Sequence, residues 1–261
     1  MTFCFLLYFF SLFSIFSLGF FYSETSDGVS DIQIINKTIG ISFTMSIDEK
    51  VVFNATMKNA SSSLRLNDFE SAIIWYNKAI SLNPFSIEAI NGKGLSLSES
   101  GKHQQAIELY DKALKIDPNS KQVLNNKGYS LDELGKHQQA IELYDKALKI
   151  DPNSKLILHN KGYSLYLLGK YQQAIALYDR VLKIDPKFID ALANKGSAFF
   201  RIGQYAEALQ WLDKALEIDP AILASIYYKT RSLEELGKTQ LAAEYFKNAS
   251  NIYYHTMINK P

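Results

Sequence analysis

One segment of the sequence is repeated with a fixed period. The 21 residues from Gly101 to Lys121 recur without a change at Gly135 to Lys155, a step of 34 residues. Prolines and glycines keep the same step: Pro84, Pro118, Pro152, Pro186 and Pro220, and Gly101, Gly135, Gly169, Gly203 and Gly237. A period of 34 residues is typical of arrays in which each repeat is a pair of helices joined by a turn. Such an array grows by adding repeats and needs no single central core.

Composition excludes several classes of function. The hydrophobic fraction is 47%, the charged fraction 21% and the formal net charge +1. This balance gives no basic footprint of the kind that binds nucleic acid, so no nucleic-acid partner is expected. The single cysteine, Cys4, leaves no pair for a disulfide and no thiol within the repeats. Redox and thiol chemistry are therefore not expected.

The N-terminus is a long apolar segment. Residues 3–22 carry no charge and are long enough to cross a bilayer core as a helix. Residues 1–22 are therefore predicted to be an uncleaved membrane anchor or a signal peptide, for which Ser17 and Gly19 offer a cleavage site before Phe20. The protein is then anchored by this one segment or exported. A misplaced start codon is the third alternative, and it predicts a cytoplasmic protein.

A polar and then extended linker is expected over residues 23–52. Apolar residues alternate with Gly, Ser and Thr from Ile39 to Ile47, and Ile41, Phe43 and Met45 lie on the apolar side. A period of two is typical of a short strand or an extended linker. The segment is either a spacer between membrane and array or a strand that docks on another surface.

Each repeat is predicted to contain two helices and a tight turn. In one repeat the first helix runs from about Glu88 to Ser100, and the second from Gln104 to Ile116 is amphipathic. Gly101 between them is expected to be left-handed and to satisfy the terminal carbonyls of the first helix. A small residue such as Gly94 permits close approach of the helices, and Tyr110 fills the gap beside it.

Four columns of residues at the 34-residue step resemble the tetratricopeptide repeat (TPR). Besides the prolines, they are the first-helix glycines Gly94, Gly128, Gly162 and Gly196, the second-helix alanines Ala72, Ala106, Ala140, Ala174, Ala208 and Ala242, and the aromatic residues Tyr76, Tyr110, Tyr144, Tyr178 and Phe246, with Leu212 in the same column. The chain is identified as a member of this family. The resemblance implies an all-α, right-handed superhelical solenoid of about six repeats, preceded by the apolar segment. The repeats are expected near residues 53–86, 87–120, 121–154, 155–188, 189–222 and 223–256, with a tail at 257–261.

The resemblance also implies that the first helices line a concave groove. In the duplicated pair the second helices are identical whereas the first helices differ, so variation is concentrated on this face. Asn126, Asn160 and Asn194 recur there at the same step. Their amides can pair with the backbone of an extended peptide, which resembles the asparagine ladder of the TPR region of O-linked N-acetylglucosamine transferase. The alternative is that asparagine is simply common at this place in TPR sequences.

Aromatic residues are expected beside the asparagine column, where they form pockets for the side chains of a peptide. They are Tyr129, Tyr163, Tyr166, Phe200 and Tyr227. The alternative is that several of them pack between adjacent first helices. A third column consists of Lys93, Lys127, Lys161, Lys195 and Lys229. Their ammonium groups are expected to meet water or the aspartates Asp117, Asp151, Asp185 and Asp219.

No residue pattern indicates catalysis. His103 and His137 occupy equivalent places in the duplicated helices, where later repeats have tyrosine, so they are interpreted as replacements for a packing aromatic residue. His159 is adjacent to Asn160 and has no carboxylate or cysteine near it in sequence. Metal-binding, phosphate-binding and nucleophile motifs are missing from the sequence. Neither an enzyme activity nor a cofactor or metal ion is predicted.

The sequence therefore predicts a non-catalytic scaffold that binds a protein or an extended peptide in the groove. Two other functions stay open. One is an accessory subunit that presents substrate to an enzyme such as a glycosyltransferase, and the other is a structural module that assembles with itself. If residues 3–22 are not cleaved, the membrane is a further partner.

Overall fold

The computed structural model describes the backbone of residues 18–24, 30–36 and 41–258 and the side chains of residues 45–250. The chain divides into two compact parts, Met1–Asn126 and Lys127–Pro261. They are called the first body and the second body below.

Three strands precede the helices. β1 (Leu18–Glu24), β2 (Ser30–Asn36) and β3 (Ile41–Met45) form an antiparallel sheet in that order, with Ile34 between Phe20 and Phe43. The stretch of period two thus contains β3. Residues 18–22 of the apolar segment have an extended backbone that pairs with β2, and the anchor or signal-peptide interpretation of residues 1–22 stays a prediction. Residues 3–17 lie outside the described residues.

Six helix pairs follow in the described residues, as predicted. The first helices of the pairs are α1 (Ile47–Arg65), α3 (Ile87–Glu99), α5 (Lys121–Glu133), α7 (Lys155–Leu167), α9 (Ile189–Arg201) and α11 (Leu223–Glu235). The second helices are α2 (Phe69–Leu82), α4 (His103–Ile116), α6 (His137–Ile150), α8 (Tyr171–Ile184), α10 (Tyr205–Ile218) and α12 (Thr239–Ile258). None of these helices has the length and apolar character needed to span a membrane.

The helical array begins before the predicted boundary at Phe53. Ser46 caps α1, because its hydroxyl oxygen accepts from the Glu49 N–H at 3.2 Å while the Glu49 carboxylate accepts from the Ser46 N–H at 2.9 Å. This capping box satisfies two backbone donors at the helix start. Residues 47–52 therefore belong to the first helix and not to the linker. At the other end, α12 extends to Ile258, beyond the predicted end of the last repeat.

The turn between the two helices of a repeat has the predicted geometry. Gly101 is left-handed, with φ of 79°, and its N–H donates to the Ser98 carbonyl at 2.9 Å. The N–H of Lys102 donates to the Leu97 carbonyl at 2.8 Å, which completes a Schellman motif. In the first repeat Asn67 takes this place with φ of 58°, a conformation that asparagine tolerates better than most residues.

Close contact between a glycine and a tyrosine joins the helices of a pair. Tyr110, Tyr144 and Tyr178 are fully buried on their second helices. A Cβ atom added at Gly94 would lie 2.5 Å from the ring of Tyr110, too close for any side chain to fit. This contact confirms the roles predicted for both residues, and it recurs between Gly128 and Tyr144 and between Gly162 and Tyr178, while Leu212 takes the place of the tyrosine against Gly196.

Candidate functional site

Four of the eight predicted groove residues line one cavity of the second body. The cavity has a volume of about 260 Å³ and is lined by Tyr129, Asp132, Glu133, Tyr144, His159, Asn160, Tyr163, Asp190 and Asn194. The first helices α5, α7 and α9 supply all of these residues except Tyr144. Typical small-molecule pockets are about 300–1,000 Å³, so this volume suits a single side chain. We call it the groove cavity.

The charged residues of the groove cavity are acidic. Asp132, Glu133 and Asp190 are carboxylates, and no lysine or arginine is among the lining residues. Glu133 and Asp190 are exposed, whereas Asp132 is 8% exposed. Burial lowers the pKa of His159, which favours its neutral form. The cavity therefore presents negative charge to an incoming group.

The asparagine column makes bonds within the protein. The Nδ2 amide of Asn194 lies 3.0 Å from Nε2 of His159, and Nδ1 of the same ring lies 3.4 Å from Oδ1 of Asn160. With His159 neutral, Nε2 accepts from Asn194 and the Nδ1–H donates weakly to Asn160. Asn126, in the first body, donates to Oδ1 of Asn91 at 3.0 Å. These amides thus connect neighbouring first helices, a role that sequence reasoning missed.

A buried hydrogen-bond network lies behind the groove cavity. Oδ2 of Asp132 accepts from the Tyr144 hydroxyl at 2.9 Å and from the Ser164 hydroxyl at 2.7 Å. Oδ1 of the same carboxylate lies 3.0 Å from Nδ1 of His137. Burial raises the pKa of the Asp132 carboxyl, although the three hydrogen bonds oppose this. His137 therefore makes a polar contact and is not a simple substitute for an aromatic residue.

This network does not supply a nucleophile. Its Ser164 hydroxyl contacts the Asp132 carboxylate and the Asn160 carbonyl, whereas an activated serine would have to donate to the histidine. The side chain of Ser164 is also fully buried. The geometry indicates a role in joining α5, α6 and α7.

The predicted aromatic residues belong to a larger group. We define the aromatic cluster as Tyr163, Tyr166, Tyr171, Phe200, Tyr205, Tyr227 and Tyr228. Its rings contact one another at centroid distances from 5.1 Å (Tyr227–Tyr228) to 6.4 Å (Tyr163–Tyr166). The hydroxyls of Tyr166 and Tyr228 lie 3.0 Å apart.

The cluster combines packing with exposure. Tyr163 is 39% exposed and Tyr227 is 56% exposed, while Tyr166 and Phe200 are partly buried among other rings. Tyr129 is 38% exposed and lines the groove cavity. The outer rings therefore face solvent and the inner rings pack between helices, while their use as pockets for a peptide stays a prediction.

Of the other cluster residues, Tyr171 and Tyr205 were interpreted only as packing aromatic residues, whereas Tyr228 and the neighbouring Arg201 were missed. Tyr171 and Tyr205 follow His137 at the repeat step, and Tyr228 follows Asn194 at the same step. The repeat step could have predicted the places of these residues, because it makes them equivalent to His137 and Asn194. Arg201 lies over the ring of Tyr171 at 5.2 Å, a contact between separate repeats that no local pattern predicts.

The lysine column meets different aspartates from those predicted. Lys161 pairs with Asp145 at 2.5 Å and Lys229 with Asp213 at 2.6 Å, and Lys195 pairs with Asp179. Each partner lies on the second helix of the preceding repeat. The predicted aspartates have another role: Oδ1 of Asp117, Asp185 and Asp219 accepts from backbone N–H groups two residues later and stabilises the turn.

Among residues whose side chains are described, no group of three His, Cys, Asp or Glu could hold a metal ion.

Comparison with known families identifies the repeats. A tetratricopeptide repeat profile matches residues 91–155 and 159–221, and a second one matches residues 60–86. Together they cover more than half of the chain. The chain therefore belongs to the tetratricopeptide repeat family, whose members bind protein or peptide partners.

Solved structures show the same fold. The chain is 24% identical to PilW, described as a widely conserved type IV pilus biogenesis factor, over 74% of this chain and 90% of that one, with a TM-score of 0.70. PilF of Pseudomonas aeruginosa is 19% identical over 82% of this chain and 100% of that one, with a TM-score of 0.69. YrrB, described as a TPR protein with an unusual peptide-binding site, is 24% identical over 67% of this chain and 90% of that one, with a TM-score of 0.54. No curated protein sequence matches the chain.

Proposed function

We propose that the second body is a non-catalytic scaffold that binds an extended segment of a partner protein along its first helices. A basic side chain of that segment enters the groove cavity. The observation that carries the proposal is the lining of this cavity, where three carboxylates and the exposed rings of Tyr129 and Tyr163 converge.

The chemistry of the cavity favours arginine or lysine. A guanidinium or ammonium group forms charge-assisted hydrogen bonds with carboxylates, and these are stronger than neutral ones. The faces of tyrosine rings attract cations as well. Glu133 and Asp190 are exposed and free to reorient towards such a group, whereas Asp132 is held by Tyr144 and Ser164.

The aromatic cluster extends this surface. Tyr163 lines the cavity and stacks on Tyr166 with an interplanar angle of 7°. A segment whose basic side chain occupies the cavity therefore meets aromatic rings as it continues along the first helices. Apolar side chains next to the basic residue gain contact area there, since aromatic surface binds with little loss of rotamer entropy. The description of YrrB as a peptide-binding TPR protein supports the same use of the fold.

The test is binding of the full-length chain to immobilised ten-residue peptides. Three libraries are random except at one central position, which is fixed as arginine, glutamate or norleucine. We expect the arginine library to be retained best. The double variant Glu133→Gln with Asp190→Asn should lose that preference by about tenfold, the effect of a charged hydrogen bond of about 1.4 kcal/mol.

Glu142→Gln is the matched control, because Glu142 is exposed on the second helix α6 and does not line the cavity. It should bind like the unmodified protein. Retention of the glutamate library, or an unchanged arginine preference in the double variant, would contradict the proposal.

A further inference from the structure

Lys93, the first lysine of the column, lacks an aspartate at the position where the later repeats have one. In the later repeats an aspartate precedes the lysine by 16 positions, as in the pairs Asp145–Lys161, Asp179–Lys195 and Asp213–Lys229. Sixteen positions before Lys93 the sequence has Asn77 instead of an aspartate. Lys93 forms no ion pair within the residues whose side chains are described, so its charge has no internal counterpart there.

Lys93 faces a cavity of about 650 Å³ in the first body. The polar lining includes Asn77 of α2, Lys93 of α3, and Lys102, Gln105, Glu108 and Lys112 at the start of and along α4. Three ammonium groups therefore face a single carboxylate. Burial lowers the pKa of Lys93, and the nearby charge of Lys112 lowers it further.

A single residue of the cavity lining accounts for the charge imbalance. Every residue that lines this cavity is repeated unchanged 34 positions later except Asn77, whose counterpart is Asp111. Asparagine and aspartate have nearly the same shape. The lining around Lys93 thus has the same residues as the equivalent positions of the next repeat, except that it lacks one negative charge.

We infer that the cavity around Lys93 binds the carboxylate of an aspartate or glutamate side chain from a second polypeptide. The incoming carboxylate supplies the charge that an internal aspartate supplies in the later repeats. The pairs of Lys161 and Lys229, at 2.5 and 2.6 Å, show that the lysine in this register accommodates a carboxylate. This site is independent of the groove cavity, which lies in the second body and is acidic.

The rest of the lining favours an amino-acid side chain over an inorganic anion. Ile73, Leu97 and Leu109 contribute apolar wall. The methylene groups of a glutamate and its neighbouring residues can pack on that wall, whereas phosphate gains nothing from it. The volume is also far larger than a single ion requires.

The test is NMR of the full-length chain labelled with ¹³C at the lysine ε-carbons. Hexaglutamate is titrated into the unmodified protein and into Asn77→Asp and Asn77→Ala. The Lys93 signal should shift and saturate in the unmodified protein. Asn77→Asp should weaken binding by about fivefold, the upper range for a partly exposed ion pair. Asn77→Ala, which removes the amide and adds no charge, should bind more tightly than Asn77→Asp.

A reciprocal variant tests the same idea in the second body. Asp145→Asn removes the partner of Lys161, so the Lys161 signal should become responsive to hexaglutamate where it was silent before. The inference is overturned if Lys93 does not respond, or if Asn77→Asp binds as tightly as the unmodified protein. It is also overturned if inorganic phosphate at equal concentration displaces the peptide, because the site would then be one for free oxyanions.

Discussion

Replacing Asp132 with alanine should destabilise the second body by about 2–3 kcal/mol. The carboxylate accepts from the hydroxyls of Tyr144 and Ser164, and both of those side chains are fully buried. Each buried hydroxyl left without an acceptor costs about 1–3 kcal/mol. Removing a desolvated carboxylate offsets part of this cost, Ser164 can still donate to the Asn160 carbonyl at 3.1 Å, and the adjoining groove cavity can admit water, so the sum falls towards the lower end of the range.

Asp132→Asn should cost less than about 1 kcal/mol. The amide oxygen can accept from both hydroxyls, and the amide N–H group then faces Nδ1 of His137. Ser98→Ala is the matched control from the preceding repeat. Ser98 is also buried and lies 3.2 Å from the equivalent histidine, His103. Loss of its hydroxyl should cost about 1 kcal/mol.

Urea unfolding followed by circular dichroism gives the global stability, and native-state hydrogen exchange of α6–α8 shows where it is lost. Repeat arrays can unfold in parts, so the exchange data decide the location. Equal destabilisation by Asp132→Ala and Asp132→Asn would refute the reasoning, since the hydrogen bonds would then not be the source. The same holds if exchange rises only outside the second body.

The pH dependence of stability gives a second measurement on the same variants. The folded-state pKa of Asp132 is raised above its unfolded value by burial. The native state therefore holds the proton at pH values where the unfolded chain has lost it. By linkage, the contribution of Asp132 to stability is greatest in acid and falls as pH rises from the ordinary aspartate range through the folded pKa. The unmodified protein should lose stability relative to Asp132→Asn across that window, and a gain would contradict the sign.

Three further outcomes are expected. Gly135→Val should destabilise the array by about 1–3 kcal/mol, because a β-branched residue would have to adopt φ near 71°; an unchanged urea midpoint would contradict the turn assignment. Replacing Asn160 and Asn194 by alanine removes both hydrogen bonds of the His159 ring and should destabilise the second body by about 1–3 kcal/mol in urea unfolding, whereas replacing Tyr166 and Phe200 should change which peptides are preferred, as measured on a peptide panel with circular dichroism to check folding. If the apolar N-terminal segment is an uncleaved anchor, the full-length product should stay with membranes after alkaline carbonate washing; a mature N-terminus at Phe20 would establish cleavage instead.

Features repeated with the 34-residue period were predictable from the sequence. The helix pairs, the left-handed Gly101 and the contact between Gly94 and Tyr110 were all derived from it. Each depends on residues close in sequence, or on a contact that recurs in several repeats. The start of α1 was placed too late because the first repeat is degenerate, although Ser46 and Glu49 carried a capping signal.

Contacts specific to one repeat were decided by the tertiary structure. Asp132 meets Ser164, 32 positions away on the next first helix, and the equivalent place in the preceding repeat holds Ser98. The lysines of the column pair with second-helix aspartates, while the turn aspartates accept from backbone N–H groups. The period of the sequence determines which surfaces face each other. Which side chains then bond across them depends on distances and competing partners that exist only once the helices are packed.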